Sequence, residues 1–138
     1  MLRIAEDFHI GVTIEPKPVD GWQGNGAHTN FSTKAMREKG GLAAIETAIG
    51  KLEKNHMKHI AKYDPSGGVE NARRLVAGFV TVAIDQFVSG TANRATSVRI
   101  PHPVAVQGCG YFEDRRPAGN MDPYAVSEIL VRTICLDE

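Results

Sequence analysis

The chain has 138 residues, and its 16 Lys and Arg side chains are balanced by 16 Asp and Glu side chains, so the formal net charge is zero. This length suits one domain or a piece of one, and the charge balance excludes a general attraction to nucleic acid or to an anionic membrane. No apolar stretch approaches the ~20 residues of a membrane span, and Cys109 and Cys135 lack metal-type spacing, so we expect a cytoplasmic protein with two free thiols.

The first third of the chain predicts two strands on either side of a glycine-rich loop. Residues 2–7 resemble the end of a helix, and residues 8–14 alternate apolar and polar side chains, which predicts a strand with one covered face. Prolines at 16 and 18 end that strand, and three glycines between 21 and 26 predict a tight loop. Residues 28–33 predict a short strand whose polar side is suited to a cavity; that side carries His28, Asn30 and Ser32.

Two helices are predicted from apolar spacing. Residues 42–63 place apolar side chains on one helical stripe, and the Asp-Pro-Ser-Gly-Gly run at 64–68 ends it. We expect His56 and His59 to lie on the solvent-facing side of this helix, because Lys54 and Lys58 flank them. The second helix starts with Asp122 as N-cap and proline at the next position, and it runs to the end of the chain.

The region between these helices is predicted to form short strands and loops. Residues 76–88 are rich in β-branched side chains, residues 97–100 resemble a strand, and residues 108–120 mix glycine, proline and charge. The loops of such a region are common places for binding residues.

Four polar clusters, at 21–33, 71–75, 92–99 and 110–117, combine a histidine and a glutamate with at least four arginines. Arginine binds phosphate and carboxylate groups, while imidazole and carboxylate bind Mg or Mn, so the combination favours an anion or phosphoryl-transfer site. Each cluster alone has a plainer interpretation: a hydrogen-bonding histidine, solvated arginines, and surface ion pairs in the Glu-Asp-Arg-Arg run. The glycine-rich stretch matches neither a P-loop nor a dinucleotide fingerprint.

At these clusters the sequence resembles class II, eukaryotic-type, glutamine synthetase. The family's Phe-Asp-Pro-Lys-Pro occurs as Ile-Glu-Pro-Lys-Pro at 14–18, and the string His-Thr-Asn-Phe-Ser-Thr-Lys-Ala-Met-Arg-Glu stands at 28–38. Asn-Ala-Arg-Arg-Leu, Ala-Asn-Arg, Arg-Ile-Pro and Gly-Tyr-Phe-Glu-Asp-Arg-Arg-Pro follow in family order. The resemblance extends over nearly the whole chain.

The resemblance implies a role for each matching residue. It makes His28 and Glu113 ligands of Mg or Mn, and it assigns catalytic roles to Arg74, Arg94 and Arg115. It implies that the residues that bind ATP, the substrate, are Asn30, Phe31, Ser32, Arg94, Arg99, Tyr111, Phe112 and Glu113. It implies that the residues that bind glutamate are Gly21, Trp22, Gly24, Arg74, Arg94 and Arg115.

The resemblance also implies a fold and an activity. The fold is α+β, with a curved, mainly antiparallel sheet flanked by helices, and residues 1–138 form the C-terminal segment of the catalytic domain. The N-terminal β-grasp domain and the first part of the catalytic domain are absent from this sequence. The activity is ATP-dependent joining of ammonia to glutamate through γ-glutamyl phosphate, in a homo-oligomer of stacked rings.

Departures from the family pattern keep a second hypothesis open. The family's further metal-binding glutamates precede this sequence, and aligning 28–113 without gaps places Val80 where the family has the flap glutamate. Gln23 and Asn25 replace the family's asparagine and alanine in the glycine-rich loop. The alternative is therefore a truncated, catalytically silent relative with a structural or regulatory role, and we expect the chain alone to be inactive.

Overall fold

The computed structural model describes all residues from 1 to 138 and contains a four-stranded mixed sheet. Its strands are β1 (Thr29–Phe31), β2 (Ser89–Thr91), β3 (Val98–Ile100) and β4 (Phe112–Asp114), in the order β1-β4-β3-β2. Strand β4 pairs antiparallel with β1 and β3, whereas β2 and β3 are parallel. The predicted α+β class with a mainly antiparallel sheet is confirmed.

Seven α-helices and a final π-helical turn surround the sheet. The helices are α1 (Leu2–Asp7), α2 (Lys34–Arg37), α3 (Leu42–Lys54), α4 (His56–Lys62), α5 (Val69–Ala72), α6 (His102–Gln107) and α7 (Pro123–Val131), and the π-helical turn is Arg132–Leu136. None of these helices has the length and apolarity that crossing a membrane requires. Both cysteines are free thiols, as expected.

The two faces of the sheet carry different chemistry because side chains alternate along each strand. Glu113 of β4 stands opposite Asn30 of β1 and Arg99 of β3, so these polar residues form one row on one face. Their neighbours Phe112 and Val98 are fully buried on the other face. The sheet thus separates a polar site from the hydrophobic core.

Helices α3 and α7 supply most of the helical side of the core. The stripe predicted for α3 is buried through Ile45, Ile49 and Leu52. Helix α7 begins where the sequence predicts, because the Asp122 side chain accepts a hydrogen bond from the Tyr124 backbone N–H at 2.8 Å. Burial of these apolar stripes against the sheet is the main source of their stability.

The long helix predicted over 42–63 is two helices, so that prediction is wrong at its centre. Asn55 has φ −105° and ψ 18°, which lies outside the helical region, and it separates α3 from α4. Its side-chain amide donates to the Lys51 carbonyl at 3.0 Å, a local bond that competes with regular helical pairing. The helical residues up to 62 and the following turn are as predicted.

The strand predicted at 8–14 is absent, because no neighbouring strand of this chain pairs with it. Its alternating apolar residues Phe8, Ile10 and Ile14 are 68%, 61% and 54% exposed. Period-2 alternation identifies a segment suited to a sheet, but a strand also needs a hydrogen-bonding partner.

Residues 76–88 form no strand, although their β-branched content favours one; the nearest strand, β2, begins at Ser89. The strand predicted near 97–100 is confirmed as β3, and the helix expected at 2–7 is α1. Helix α6 was not expected.

Candidate functional site

The polar face of the sheet opens into a cavity of about 540 Å³. Segments far apart in sequence line it: the loop before β1, residues 74–76, residues 79–83, and the ends of β3 and β4. Eight residues assigned a role from the sequence line this one cavity: Gly21, Trp22, Gly24, His28, Arg74, Arg94, Arg99 and Arg115. The fold therefore gathers residues from all four polar clusters.

His28 lines this cavity and contacts Glu113, whose side chain is buried behind the cavity wall. Nδ1 of His28 lies 2.9 Å from Oε1 of Glu113, although the two residues are 85 positions apart. The pairing of β1 with β4 produces this contact, because His28 directly precedes the strand whose Asn30 faces Glu113. Burial, reinforced by Arg115, lowers the pKa of His28, so the imidazole is neutral at pH 7 and available as a ligand.

Two arginines contact the same carboxylate. Nε of Arg99 lies 2.5 Å from Oε2 of Glu113, and Nη1 of Arg115 lies 3.4 Å from Oε1. Burial, with Arg99 and Arg94 adding and Glu113 opposing, lowers the pKa of Arg115, but arginine stays charged at any physiological pH. One carboxylate against several cations leaves a net positive site suited to an anion.

Arg74 has a different role from the other arginines, because backbone carbonyls already occupy its donors. It is only 6% exposed, and its Nη2 donates to the carbonyl oxygens of Arg116 at 2.7 Å and Pro117 at 3.1 Å. Burial, reinforced by Arg115, lowers its pKa to about 10. Arg74 therefore braces the chain that follows β4, and its catalytic and glutamate-binding roles stay predictions.

The glycine-rich loop packs directly on Arg74, which explains two of its glycines. A Cβ atom at Gly24 would overlap the Arg74 Cγ atom, and one at Gly26 would lie 2.6 Å from Nη1. The Lys17 side chain donates to the Trp22 carbonyl, and the backbone N–H of Asn25 donates to the Pro16 carbonyl at 2.7 Å. These contacts hold the loop at the rim, with the Trp22 side chain 73% exposed.

The remaining residues assigned to ATP lie beside the cavity rather than on its wall. Phe112 is fully buried and packs on Phe31, with ring centroids 5.6 Å apart. Ser32 accepts a hydrogen bond from Arg37 at 2.8 Å, and Tyr111 is 38% exposed. The Phe112 side chain therefore has no surface for a nucleotide, and the nucleotide roles of this group stay predictions.

The metal-binding prediction for His28 and Glu113 is compatible with the geometry but incomplete within this chain. Oε2 of Glu113 is buried in a close ion pair with Arg99, so a metal ion at this oxygen would take the place of the Arg99 contact. No group of three or more His, Cys, Asp or Glu side chains could enclose an ion. Because Mg²⁺ and similar ions take about six ligands, the chain can supply only part of such a site.

A buried polar network under the cavity was missed, and the prediction that His56 and His59 face solvent is wrong. Their exposures are 8% and 0%. The ring of His59 lies 2.7 Å from the Tyr63 hydroxyl and 2.9 Å from Thr133 Oγ1, and the Tyr63 hydroxyl donates to Asp114 at 2.6 Å. Both histidines face inward because positions 56 and 59 continue, at spacings of four and three residues, the buried stripe of Ile49 and Leu52 in α3.

The network predicts a loss of stability in mild acid. Burial, reinforced by Arg116, lowers the pKa of His59 from 6.5 to about 4, so between these values the unfolded chain binds a proton that the folded chain does not. The free energy of unfolding is therefore highest above pH 6.5 and falls by on the order of 3 kcal/mol as the pH drops to about 4. Urea unfolding across this range measures it; His59→Gln should flatten the dependence, and an unchanged slope in that variant would contradict the assignment.

Val80 lies on the cavity wall, where its carbonyl oxygen is 3.4 Å from Nη2 of Arg115. An apolar side chain therefore occupies the position that the resemblance assigns to an acidic group. The acid-base group that the resemblance assigns to this position is therefore missing from the cavity wall itself.

Comparison with known proteins confirms the resemblance. The chain is 57% identical to glutamine synthetase of Panulirus argus, and 57% and 58% identical to glutamine synthetase 2 cytoplasmic and glutamine synthetase 1, mitochondrial, of Drosophila melanogaster, each over 137 residues. These alignments cover 99% of this chain but only 38%, 37% and 34% of the relatives. No family model matches the chain. The chain thus spans little more than a third of the length of these relatives.

Proposed function

We propose that this chain forms the C-terminal segment of a glutamine synthetase catalytic domain and supplies the phosphate-binding part of a glutamate–ammonia ligase site. The observation that supports this most strongly is that His28 and the arginines line one cavity, with Glu113 in contact with His28, Arg99 and Arg115 behind its wall. Almost the whole chain aligns with these relatives at 57–58% identity. We place the protein in the cytoplasm, within a homo-oligomer of stacked rings.

In this proposal the substrates are glutamate, ammonia and ATP. Transfer of the terminal phosphoryl group of ATP to the side-chain carboxylate of glutamate gives γ-glutamyl phosphate and ADP, and ammonia then displaces phosphate to give glutamine. Arg94, Arg99 and Arg115 bind and orient the phosphate oxygens by charge-assisted hydrogen bonds, which stabilise the charge of the transferring group. Arg74 holds the 115–117 backbone, and thereby the position of Arg115.

Mg or Mn fits the donor atoms of His28 and Glu113, which would hold it together with ligands from outside this chain. When bound, the ion supplies charge neutralisation at the phosphate oxygens. Neutral His28 offers a ring nitrogen, and Glu113 offers a carboxylate oxygen in exchange for its contact with Arg99. The same carboxylate also orients Arg99 and Arg115 toward the phosphates.

The isolated 138-residue chain is expected to form no γ-glutamyl hydroxamate from glutamate, hydroxylamine and ATP. Two candidate ligands cannot replace a full set of oxygen donors around Mg or Mn. The assay is run with the chain alone and with the chain in place of the corresponding segment of a full-length eukaryotic glutamine synthetase, called the hybrid below. Turnover by the chain alone would contradict the account.

Val80→Glu is expected to leave the isolated chain inactive and to raise hydroxamate formation by the hybrid. An acid-base group at this position contributes roughly 10²–10⁴-fold where proton transfer limits the rate, but it cannot supply missing metal ligands. Val82→Glu, on the same wall of the cavity, is the matched control. An equal increase in hydroxamate formation with both substitutions would indicate a nonspecific charge effect.

The alternative function is a catalytically silent partner of full-length subunits, which Val80 favours. Mixing the chain with full-length subunits distinguishes the two. A silent partner co-purifies with them and changes their assembly, and its hybrid stays inactive even with Val80→Glu.

A further inference from the structure

We propose that His56 is a positioning residue: its neutral imidazole ties the loop over the cavity to the buried Arg116. The loop, called the cavity loop, comprises residues 76–86, and several of its residues line the cavity. The inference concerns loop placement, and it bears on catalysis only if the proposed function is correct.

The cavity loop has little structure of its own. Its internal backbone hydrogen bonds are Gly78 N–H to the Thr81 carbonyl at 3.1 Å and Gln86 N–H to the Ala83 carbonyl at 3.0 Å. Phe79 at its tip is 100% exposed. Such a segment needs contacts from the rest of the molecule to hold one conformation.

Three side chains outside the loop donate hydrogen bonds to its carbonyl oxygens. Arg115 reaches Val80 at 3.4 Å, and Ser97 reaches Gln86 at 3.3 Å. His56 Nε2 lies 2.8 Å from the Ile84 carbonyl oxygen, the shortest of the three distances. His56 therefore provides the tightest external contact to this loop.

A hydrogen bond at Nδ1, the other ring nitrogen of His56, fixes the orientation of the ring. Nη1 of Arg116 lies 3.0 Å from Nδ1 of His56, and because arginine only donates, Nδ1 must be the acceptor. The proton of the neutral ring is then on Nε2, which donates to Ile84. Burial lowers the pKa of His56, in agreement with this neutral form.

Arg116 is itself immobilised. Its Nε and Nη2 atoms donate to the two oxygens of Asp114 at 2.9 and 2.7 Å. The guanidinium carbon lies 5.2 Å from the ring centroids of Tyr63 and of Phe87. Phe87 directly follows the cavity loop and also packs edge-on against His56, so ring packing and the hydrogen bond act on the same end of the loop.

Two consecutive arginines thus hold two points of the cavity loop. Arg115 contacts Val80 directly, while Arg116, which pairs with the buried Asp114, acts on Ile84 through His56. Both arginines and His56 border the cavity. The arrangement links the site's cationic wall to the buried Asp114–Arg116 pair. It explains why a histidine on the core side of α4 is relevant to the cavity.

Hydrogen exchange of the cavity loop, measured by mass spectrometry on the 138-residue chain and on the hybrid, tests the inference. His56→Phe keeps a ring of similar size but removes both hydrogen bonds, so amides in peptides covering 76–86 should exchange roughly tenfold faster. His59→Phe is the matched control, since His59 is also buried on the same helix but contacts Tyr63 and Thr133. It should leave loop exchange unchanged.

The outcomes are distinct. Unchanged loop exchange in His56→Phe, or an equal increase in His59→Phe, would overturn the inference. If His56→Phe does not fold, His56→Ala is measured in its place against His59→Ala, with the same expected and contradicting results. The readout is exchange rather than turnover. A hybrid that stays inactive with Val80→Glu but whose His56 variant has a faster loop therefore refutes the ligase proposal and supports the positioning role of His56.

Discussion

Arg116→Leu is expected to lower the free energy of unfolding by about 3–5 kcal/mol, the cost of breaking a buried ion pair from one side. Arg116 is 1% exposed and Asp114 is 0% exposed. Although burial opposes ionisation, Arg116 keeps the pKa of Asp114 below its usual value. Without the guanidinium, the buried carboxylate keeps its bonds from the Tyr63 hydroxyl and from the backbone N–H of residue 116, but it loses both bonds from the guanidinium and its only counter-charge.

The matched control is Arg73→Leu. Arg73 carries the same charge, but its side chain is 45% exposed in pairs with Glu70 and Asp20, and such surface pairs contribute about 0–1 kcal/mol. Urea unfolding followed by far-UV circular dichroism compares the two variants. Equal losses of stability would show that the Asp114–Arg116 pair is not the buried element described here.

Glu113→Gln is expected to reduce hydroxamate formation by the hybrid carrying Val80→Glu by roughly 10²–10³-fold. The substitution keeps the shape of the side chain but removes the charge that Arg99 and Arg115 surround. It also replaces a carboxylate ligand with a weaker amide oxygen, so both metal affinity and arginine orientation should suffer. The rate is measured at saturating Mn and ATP to separate binding from turnover.

Glu128→Gln provides the control for this prediction. Glu128 is 54% exposed on α7 and pairs with Arg132 on the surface. It should leave the rate within about twofold of the parent, as expected of an isolated surface pair. If Glu113→Gln has only a small effect, similar to that of Glu128→Gln, then the His28–Glu113 contact does not contribute to the reaction.

Local sequence signals predicted elements whose stabilising contacts lie nearby in the chain. The Asp122 cap and the apolar stripe of α3 depend on residues within a few turns, so spacing alone located them. The segment 8–14 shows the limit of this approach. Its alternation is as regular as that of a strand, but strand formation depends on a partner that alternation does not reveal.

Local patterns in the sequence do not show which distant residues meet in the site. His28 and Glu113 meet through the β1–β4 pairing, and only the family motifs indicated that these distant clusters lie together. The Glu-Asp-Arg-Arg run held a missed local signal, because alternation continues past β4. Arg115 accordingly pairs with Glu113, while Arg116, which also borders the cavity, pairs with the fully buried Asp114.

His56 and His59 were misplaced because the charges of Lys54 and Lys58 were given more weight than helical spacing. Positions 56 and 59 continue the stripe of Ile49 and Leu52, which is buried. The buried partners Tyr63, Thr133 and Arg116 satisfy ring nitrogens of the two histidines. A buried histidine is recognisable from sequence only when its partners are, and these come from distant segments.

Anomalous diffraction from crystals of the hybrid grown with manganese and ATP tests the account most directly. We predict a manganese peak in contact with both the His28 imidazole and the Glu113 carboxylate, with nucleotide phosphates reaching Arg94, Arg99 and Arg115. Manganese bound elsewhere, with His28 and Glu113 still joined only to each other, would contradict the proposed site.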